Sequence, residues 1–244
     1  MTKRVLLIFA HPDDESFIIG GSIAKMAHEG AEIHLMTATK GEAGKTAGLC
    51  EQGSLGVLRE KELEKASRIL GIKELAFLGY LDKEVAAAPA ARIIEQLVRK
   101  IREFRPHLVL TFGPDGASGH RDHRAIHYWT KAAVKLAGEA VEEEWGHPYR
   151  LPRLCYVVAA WRTDRQGRNH TDYTIDIKHW SGIKWRAIEQ HKTQVFSINK
   201  FAAMSKKLKD VYLGQEFFNN DQEFSQYTGH GNDLLAGLEY CEKK

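Results

Sequence analysis

A chain of 244 residues, 43% hydrophobic and 27% charged, has material for one large soluble α/β core. Its 35 basic and 32 acidic residues leave a formal charge of +3, and scattered lysines and arginines at that balance exclude a nucleic-acid partner. No stretch approaches membrane-spanning length, and the three cysteines, Cys50, Cys155 and Cys241, lack the spacing of a disulfide framework or a cysteine zinc site and suit a reducing cytoplasm.

Lys3-Arg4 and the apolar run after it superficially resemble a signal peptide, but the run stops at Ala10, before His11-Pro12-Asp13-Asp14-Glu15, with no small-residue cleavage site. Residues 5–9 read instead as a strand buried on both faces. Phe17, Ile18, Ile23, Ala24 and Ala27 recur at helical spacing and predict a helix over 16–29, stopped at Gly30. A second strand is predicted over 31–38, a glycine- and threonine-rich loop over 39–56, and a helix over 58–70 that closes at Gly71. Strand, helix and strand follow over 74–78, 90–104 and 108–112. A glycine-rich loop over 113–119 leads into a helix over 122–136. This alternation predicts a Rossmann-like, doubly wound, mainly parallel α/β sheet. Past residue 150 the pattern loosens: strands over 153–160 and 173–177, helices over 183–191 and 201–213, and an irregular C-terminal extension. No repeat or linker divides the chain, so 1–244 is read as one domain.

Two polar clusters stand at strand ends. His11 and Asp14 follow the first strand; His120, Asp122 and His123 follow the fourth. In a sheet of order 3-2-1-4-5 these ends are neighbours, and the crevice between them is where doubly wound sheets bind ligands. Hydrolytic zinc wants about three histidine or carboxylate ligands and an open position for water. His11, Asp14 and His123 make that set; ferrous iron suits the same donors. Asp13 suits a general base, and His120, as a protonated imidazole, a donor to the oxyanion or the leaving amine. Asp13 and Asp14 could merely cap the next helix, but a cap needs one aspartate. Glu15 reads as a first-turn acid or the partner of a ligand histidine.

Ala10-His11-Pro12-Asp13-Asp14-Glu15 resembles the hallmark of the PIG-L/LmbE superfamily of zinc-dependent N-deacetylases. Gly119-His120-Arg121-Asp122-His123 resembles its second motif, with Arg121 where proline is usual. Thr37-Ala38-Thr39 with Gly41-Glu42-Ala43-Gly44, the run from Arg59 through Glu62 and Ala66 to Leu70-Gly71, and Leu78-Gly79-Tyr80-Leu81-Asp82 resemble the connecting segments. His191-Lys192-Thr193-Gln194 continues the likeness weakly. The resemblance implies His11, Asp14 and His123 as zinc ligands, Asp13 as base and His120 as electrostatic partner. It also implies sugar contacts from Arg59 and Asp82. Ser118 stands where some relatives carry an auxiliary tyrosine, a role His191 could take over.

The implied reaction removes acetyl from a small N-acetylglucosaminyl compound, a thiol-precursor glycoside or a chitooligosaccharide. Homo-oligomers, trimers or hexamers, are also implied. Another metal-assisted amidohydrolase, acting on an acylated amino sugar or amide, is the first alternative. A non-catalytic metal- or sugar-binding homologue is the second, against which the intact Asp13 argues. Gly41 to Thr46 ends in Gly-Lys-Thr, but Thr39 stands where a phosphate-binding loop needs glycine. His127, one turn beyond His123, is assigned to packing.

Overall fold

The computed structural model describes residues 2–140, 143–159, 171–226 and 231–238. Its seven-stranded sheet has the order β3-β2-β1-β4-β5-β7-β6. In chain order the strands are β1 (Arg4–Phe9), β2 (Glu32–Thr39), β3 (Glu74–Tyr80), β4 (Leu108–Phe112), β5 (Arg153–Val158), β6 (Tyr173–Asp176) and β7 (Gln215–Asn220). The first five run parallel, and β7 is antiparallel to both β5 and β6. The helices are α1 (Asp14–His28), α2 (Leu55–Leu70), α3 (Ala90–Phe104), α4 (Gly116–Gly119), α5 (Arg121–Ala137), α6 (Ser181–Ile188), α7 (Val195–Ala202) and α8 (Lys206–Gly214).

The expected parallel order is present, and the chemistry of β1 explains its place at the centre. Val5, Leu6, Leu7, Ile8 and Phe9 are fully buried; each such side chain contributes roughly 1.5–3 kcal/mol on leaving water, and only a strand covered on both faces realises that for all five. β1 pairs with β2 through six residues and with β4 through three, so the ends of β1 and β4 stand side by side. Gly71, at φ 82, closes α2 in the left-handed conformation expected of it.

The C-terminal part differs most from expectation. The extension is not simply irregular: Gln215–Asn220 forms β7, inserted between β5 and β6. Its Gln-Glu-Phe-Phe-Asn-Asn sequence has neither helical nor alternating periodicity, so hydrophobic pattern alone could not reveal it. The single helix expected over 201–213 is two, because Ser205 takes an extended conformation and its hydroxyl caps α8 by accepting from the Leu208 amide. Helices α6–α8 gather a second apolar cluster around Ile188, Phe201 and Tyr212, separate from the main core. Cys50 and Cys155 are free thiols, while Cys241, Trp161 and the segment 160–170 lie outside the described residues. Among the described residues no helix is long and apolar enough to cross a membrane.

α1 approaches the C-terminal part through glycine. A Cβ on Gly21 would sit 2.5 Å from Ile177 Cδ1 and 2.7 Å from its Cβ. Gly21→Ala is therefore expected to destabilise the protein by about 1–3 kcal/mol. Pairing it with Ile177→Ala should cost less than the sum of the two single changes, as read from denaturant unfolding of all three variants; strict additivity would show that the two elements shift apart freely.

Candidate metal centre and cleft

Asp13, Asp14 and His11 stand where β1 turns into α1, and His120 and His123 where α4 turns into α5. The structure brings the two groups into contact. His11 Nδ1 lies 3.1 Å from His123 Nε2. One Asp14 oxygen is 3.3 Å from His123 Nε2 and the other 3.8 Å from His11 Nδ1. Donors about 2.0–2.2 Å from a tetrahedral zinc are separated by about 3.3–3.6 Å. In this triangle of residues the 3.1 and 3.3 Å contacts at His123 Nε2 are near that spacing, while the 3.8 Å contact is made by the other Asp14 oxygen, which also accepts from the His11 amide at 2.9 Å.

The rings are aimed from behind. His123 Nδ1 donates to the Gly116 carbonyl at 3.0 Å, which leaves Nε2 as a lone pair facing the triangle, and its face stacks on Phe112 with centroids 4.0 Å apart. His11 turns Nε2 toward Asp82 at 3.1 Å and Asp122 at 3.3 Å, and so presents Nδ1 to His123. Two nitrogens meeting in this way need a cation between them. With a proton in that role the pair divides unequally. Burial pushes the His11 pKa down, but Asp122, Asp82 and the charge of Asp14 outweigh it and raise the value to about 10. Burial, then the charge on His11, push His123 down to about 4. Burial raises Asp14 to about 6 against the field of His11.

Two further groups among the described residues are compact enough for a metal: His11 with His120 and His123, and, on the far side of the His11 ring, His11 with Asp82, His120 and Asp122. There, however, the donors are already engaged. Asp122 accepts from the Lys83 amide at 2.8 Å and the Ala86 amide at 3.3 Å, and His120 Nδ1 accepts from the Asp122 amide at 3.2 Å. A carboxylate–histidine–metal arrangement accounts for both sides at once, with Asp82 and Asp122 orienting His11. Accepting at Nδ1 also puts the proton of neutral His120 on Nε2, a donor that needs no positive charge.

Asp13 sits beside the triangle with 21% of its side chain exposed and 3.2 Å from the Arg59 guanidinium. Arg59 also donates to the carbonyls of Gly41 and Pro12. Gly41, at φ +67, is required here, since a Cβ would lie 2.0 Å from Arg59 Nη1. Burial raises the Asp13 pKa to about 6, opposed by Arg59 and aided by Asp14. The other named residues fall as follows. Arg59 and Asp82 both line the polar cleft, with their charged groups turned toward Asp13 and His11. His191 is fully buried, its Nε2 bound to Glu15 at 2.9 Å, and does not line that cleft. The ion pair lowers Glu15 and raises His191 in spite of burial, which works against both. His127 donates to the Phe112 carbonyl at 2.9 Å and packs edge-on to Tyr156.

Sequence reasoning gave no role to Asp122 and none to Glu62, whose two oxygens hold the amide and hydroxyl of Thr193 at 3.0 and 2.6 Å. Asp122 lay between two histidines with a visible motif around it; the partner of Glu62 lies 131 residues away, beyond any local signal.

The backbone at Asp13 is strained. Its φ of 127° and ψ of −27° lie where an L-residue pays roughly 1–3 kcal/mol. Asp13→Gly and Asp13→Ala both remove the carboxylate, yet only glycine relieves this conformation. The glycine variant should be the more stable by about 1 kcal/mol in denaturant melts; equal stabilities would mean that the turn relaxes once the carboxylate is gone.

Residues 6–134 match the PIG-L family, described as GlcNAc-PI de-N-acetylase. The 1D-myo-inositol 2-acetamido-2-deoxy-alpha-D-glucopyranoside deacetylase of Rhodococcus erythropolis is 34% identical over 239 aligned residues, covering 79% of this chain and 81% of that protein. The enzyme of the same name from Rhodococcus jostii is 33% identical over 287, covering 97% and 98%. The structure of N,N'-diacetylchitobiose deacetylase from Pyrococcus horikoshii has a TM-score of 0.72 at 22% identity, over 90% of this chain and 84% of that one, a likeness of fold. Matched over residues 6–134 and about a third identical to relatives along most of its length, the chain belongs to the PIG-L family.

Proposed function

We propose that the chain is a metal-dependent N-deacetylase that hydrolyses the N-acetyl group of a small N-acetylglucosaminyl compound, releasing acetate and a free amine. The observation that carries this reading is the grouping of His11 Nδ1, His123 Nε2 and the two Asp14 oxygens, with contacts of 3.1, 3.3 and 3.8 Å, beside a partly exposed aspartate. The names of the two Rhodococcus relatives support an inositol glycoside of N-acetylglucosamine as the nearest substrate class.

His11, Asp14 and His123 would hold zinc; ferrous iron suits the same donors. Zinc, when bound, would bring the pKa of a water toward neutrality and polarise the acyl carbonyl. Asp13 then takes the proton of the attacking water. Arg59 fixes the carboxylate for that transfer through its contact at 3.2 Å. His120 donates from Nε2 to the developing oxyanion, its other nitrogen being engaged by the Asp122 amide. As the amide C–N bond breaks, Asp13 returns the proton to the leaving amine.

The sugar fits the polar cleft of about 520 Å³ around the triangle, where Lys45, Lys83 and Gln194 offer partners to hydroxyl groups. The proposal treats the chain as one domain acting in the cytoplasm on a small molecule, with neither a nucleic-acid nor a membrane partner. Assembly into a trimer or hexamer rests on family resemblance, and sedimentation equilibrium decides it.

Asp13→Asn should lower kcat by about 10²–10⁴-fold on N-acetylglucosaminyl substrates while elemental analysis still finds one metal per chain. Near-normal turnover in that variant would remove Asp13 as the base. His11→Ala and His123→Ala should each lower metal content at least about tenfold, and His127→Ala should not. Retention of metal by either of the first two variants would break the proposed ligand set.

A further inference from the structure

The cleft is only half of the space at the triangle. A second cavity, of about 290 Å³, adjoins it and shares Asp13, Asp14, Ser118, His123, Ser197 and Lys200 with it. Its further walls are Phe17 and Ile18 of α1, Phe201 of α7, Met204, Tyr212 of α8 and Phe217 of β7. It lies at the seam between the main core and the second apolar cluster, since Phe17, Phe201, Met204 and Tyr212 all belong to that cluster.

The polar groups of its deep wall are consumed within the protein. Lys184 Nζ donates to Glu216 at 2.8 Å and to the Tyr212 carbonyl at 3.2 Å. Glu216 also accepts from the Gly21 and Ser22 amides at 2.9 and 2.7 Å. The Tyr212 hydroxyl donates to the Phe17 carbonyl. Ser197, Lys200 and Gln215 also line it. Against the wall of Phe17, Ile18, Phe201, Met204 and Phe217 a sugar hydroxyl would be buried without a partner, at a cost of roughly 1–3 kcal/mol by mutational measures, whereas an alkyl chain has no polar group to strip of water.

Resting on the amide hydrolysis proposed above, we propose that this cavity receives the acyl group of the substrate. The enzyme is then a deacylase of amino sugars that favours chains longer than acetyl. A dry cavity of about 150 Å³ takes up benzene, so about 290 Å³ has room for a chain of roughly six to eight carbons, and a lone methyl group would leave most of it unfilled. The reaction is unchanged in its balance. Water adds to the acyl carbon, the amide C–N bond breaks, and the products are the fatty carboxylate and the protonated amine. The carbonyl sits at the triangle, the sugar in the polar cleft and the alkyl tail in the seam.

The test is a series of N-acetyl-, N-butyryl-, N-hexanoyl- and N-octanoyl-glucosamine, given to the metal-loaded enzyme, with amine release as readout. Burying each added methylene should raise kcat/KM by about fourfold, up to hexanoyl or octanoyl. Octanoate should also raise the melting temperature of the protein more than acetate at equal concentration. Met204→Trp and, independently, Ile18→Trp fill the cavity, and each should lower the hexanoyl-to-acetyl ratio of kcat/KM by about tenfold. A kcat/KM that falls with every added methylene overturns the acyl assignment and leaves deacetylation standing. Release from no member of the series removes amide hydrolysis, and this proposal with it.

Discussion

Two imidazole nitrogens held 3.1 Å apart need a proton or a metal ion between them, and much of the molecule serves to keep them there. Left to themselves, the rings would rotate to relieve that approach. They cannot, because each is bonded at its other nitrogen: His11 to Asp82 and Asp122, His123 to the Gly116 carbonyl. Those partners are held in turn. Asp122 takes two backbone amides from the segment after β3, and Asp82 gives its own amide to Glu42. The carboxylates thus form two ranks. Asp14 faces the cation position, while Asp82 and Asp122 stand behind the ring and set its orientation.

The sheet makes this arrangement affordable. A strand order with β1 beside β4 brings together two turns far apart in sequence, and the long buried register of β1 fixes their relative height. A rigid frame also permits strain. The Asp13 backbone is held at its unfavourable φ by the amide bond to Glu15 and by the first amides of α1, which take the Asp13 carbonyl. Glu15 is itself anchored by buried His191. The C-terminal half, which contributes no member of the triangle, therefore reaches the surroundings of Asp13 through two contacts: His191 on Glu15, and Thr193 on Glu62 one helical turn from Arg59.

What could be read in the sequence follows from the range of each interaction. β1, α3, β4 and α5 carry strong local patterns, and the motifs after β1 and β4 lie at strand ends that a doubly wound sheet must make adjacent. The grouping of His11, Asp14 and His123 was legible for that reason. Direction was not. Arg59 and Asp82 were expected to face a sugar, and at the cleft wall they turn their charges to Asp13 and His11. Sequence names a residue at a cleft, but which neighbour satisfies its charge depends on the packing of α2 and of the segment after β3. β7 was missed for a different reason. Its pairing with β5 and β6 is imposed by tertiary contact, with no periodic signal of its own.

A site with one polar and one apolar side divides the work of recognition unequally. Buried polar groups reject a substrate that leaves them unpaired by large factors, whereas an apolar pocket grades its ligands by at most about two-hundredfold per methylene. In the proposed assignment the cleft around Asp82, Lys83 and His120 selects the sugar, and the seam beneath Phe201 and Met204 tunes only the acyl group. The seam exists because α6–α8 pack their own small cluster and do not merge with the main core. Most of its walls come from the C-terminal segments, whose side chains can change volume without disturbing the bonds that aim His11 and His123. Reaction and acyl preference are in this way carried by different parts of one fold, joined at Asp13, Asp14 and His123.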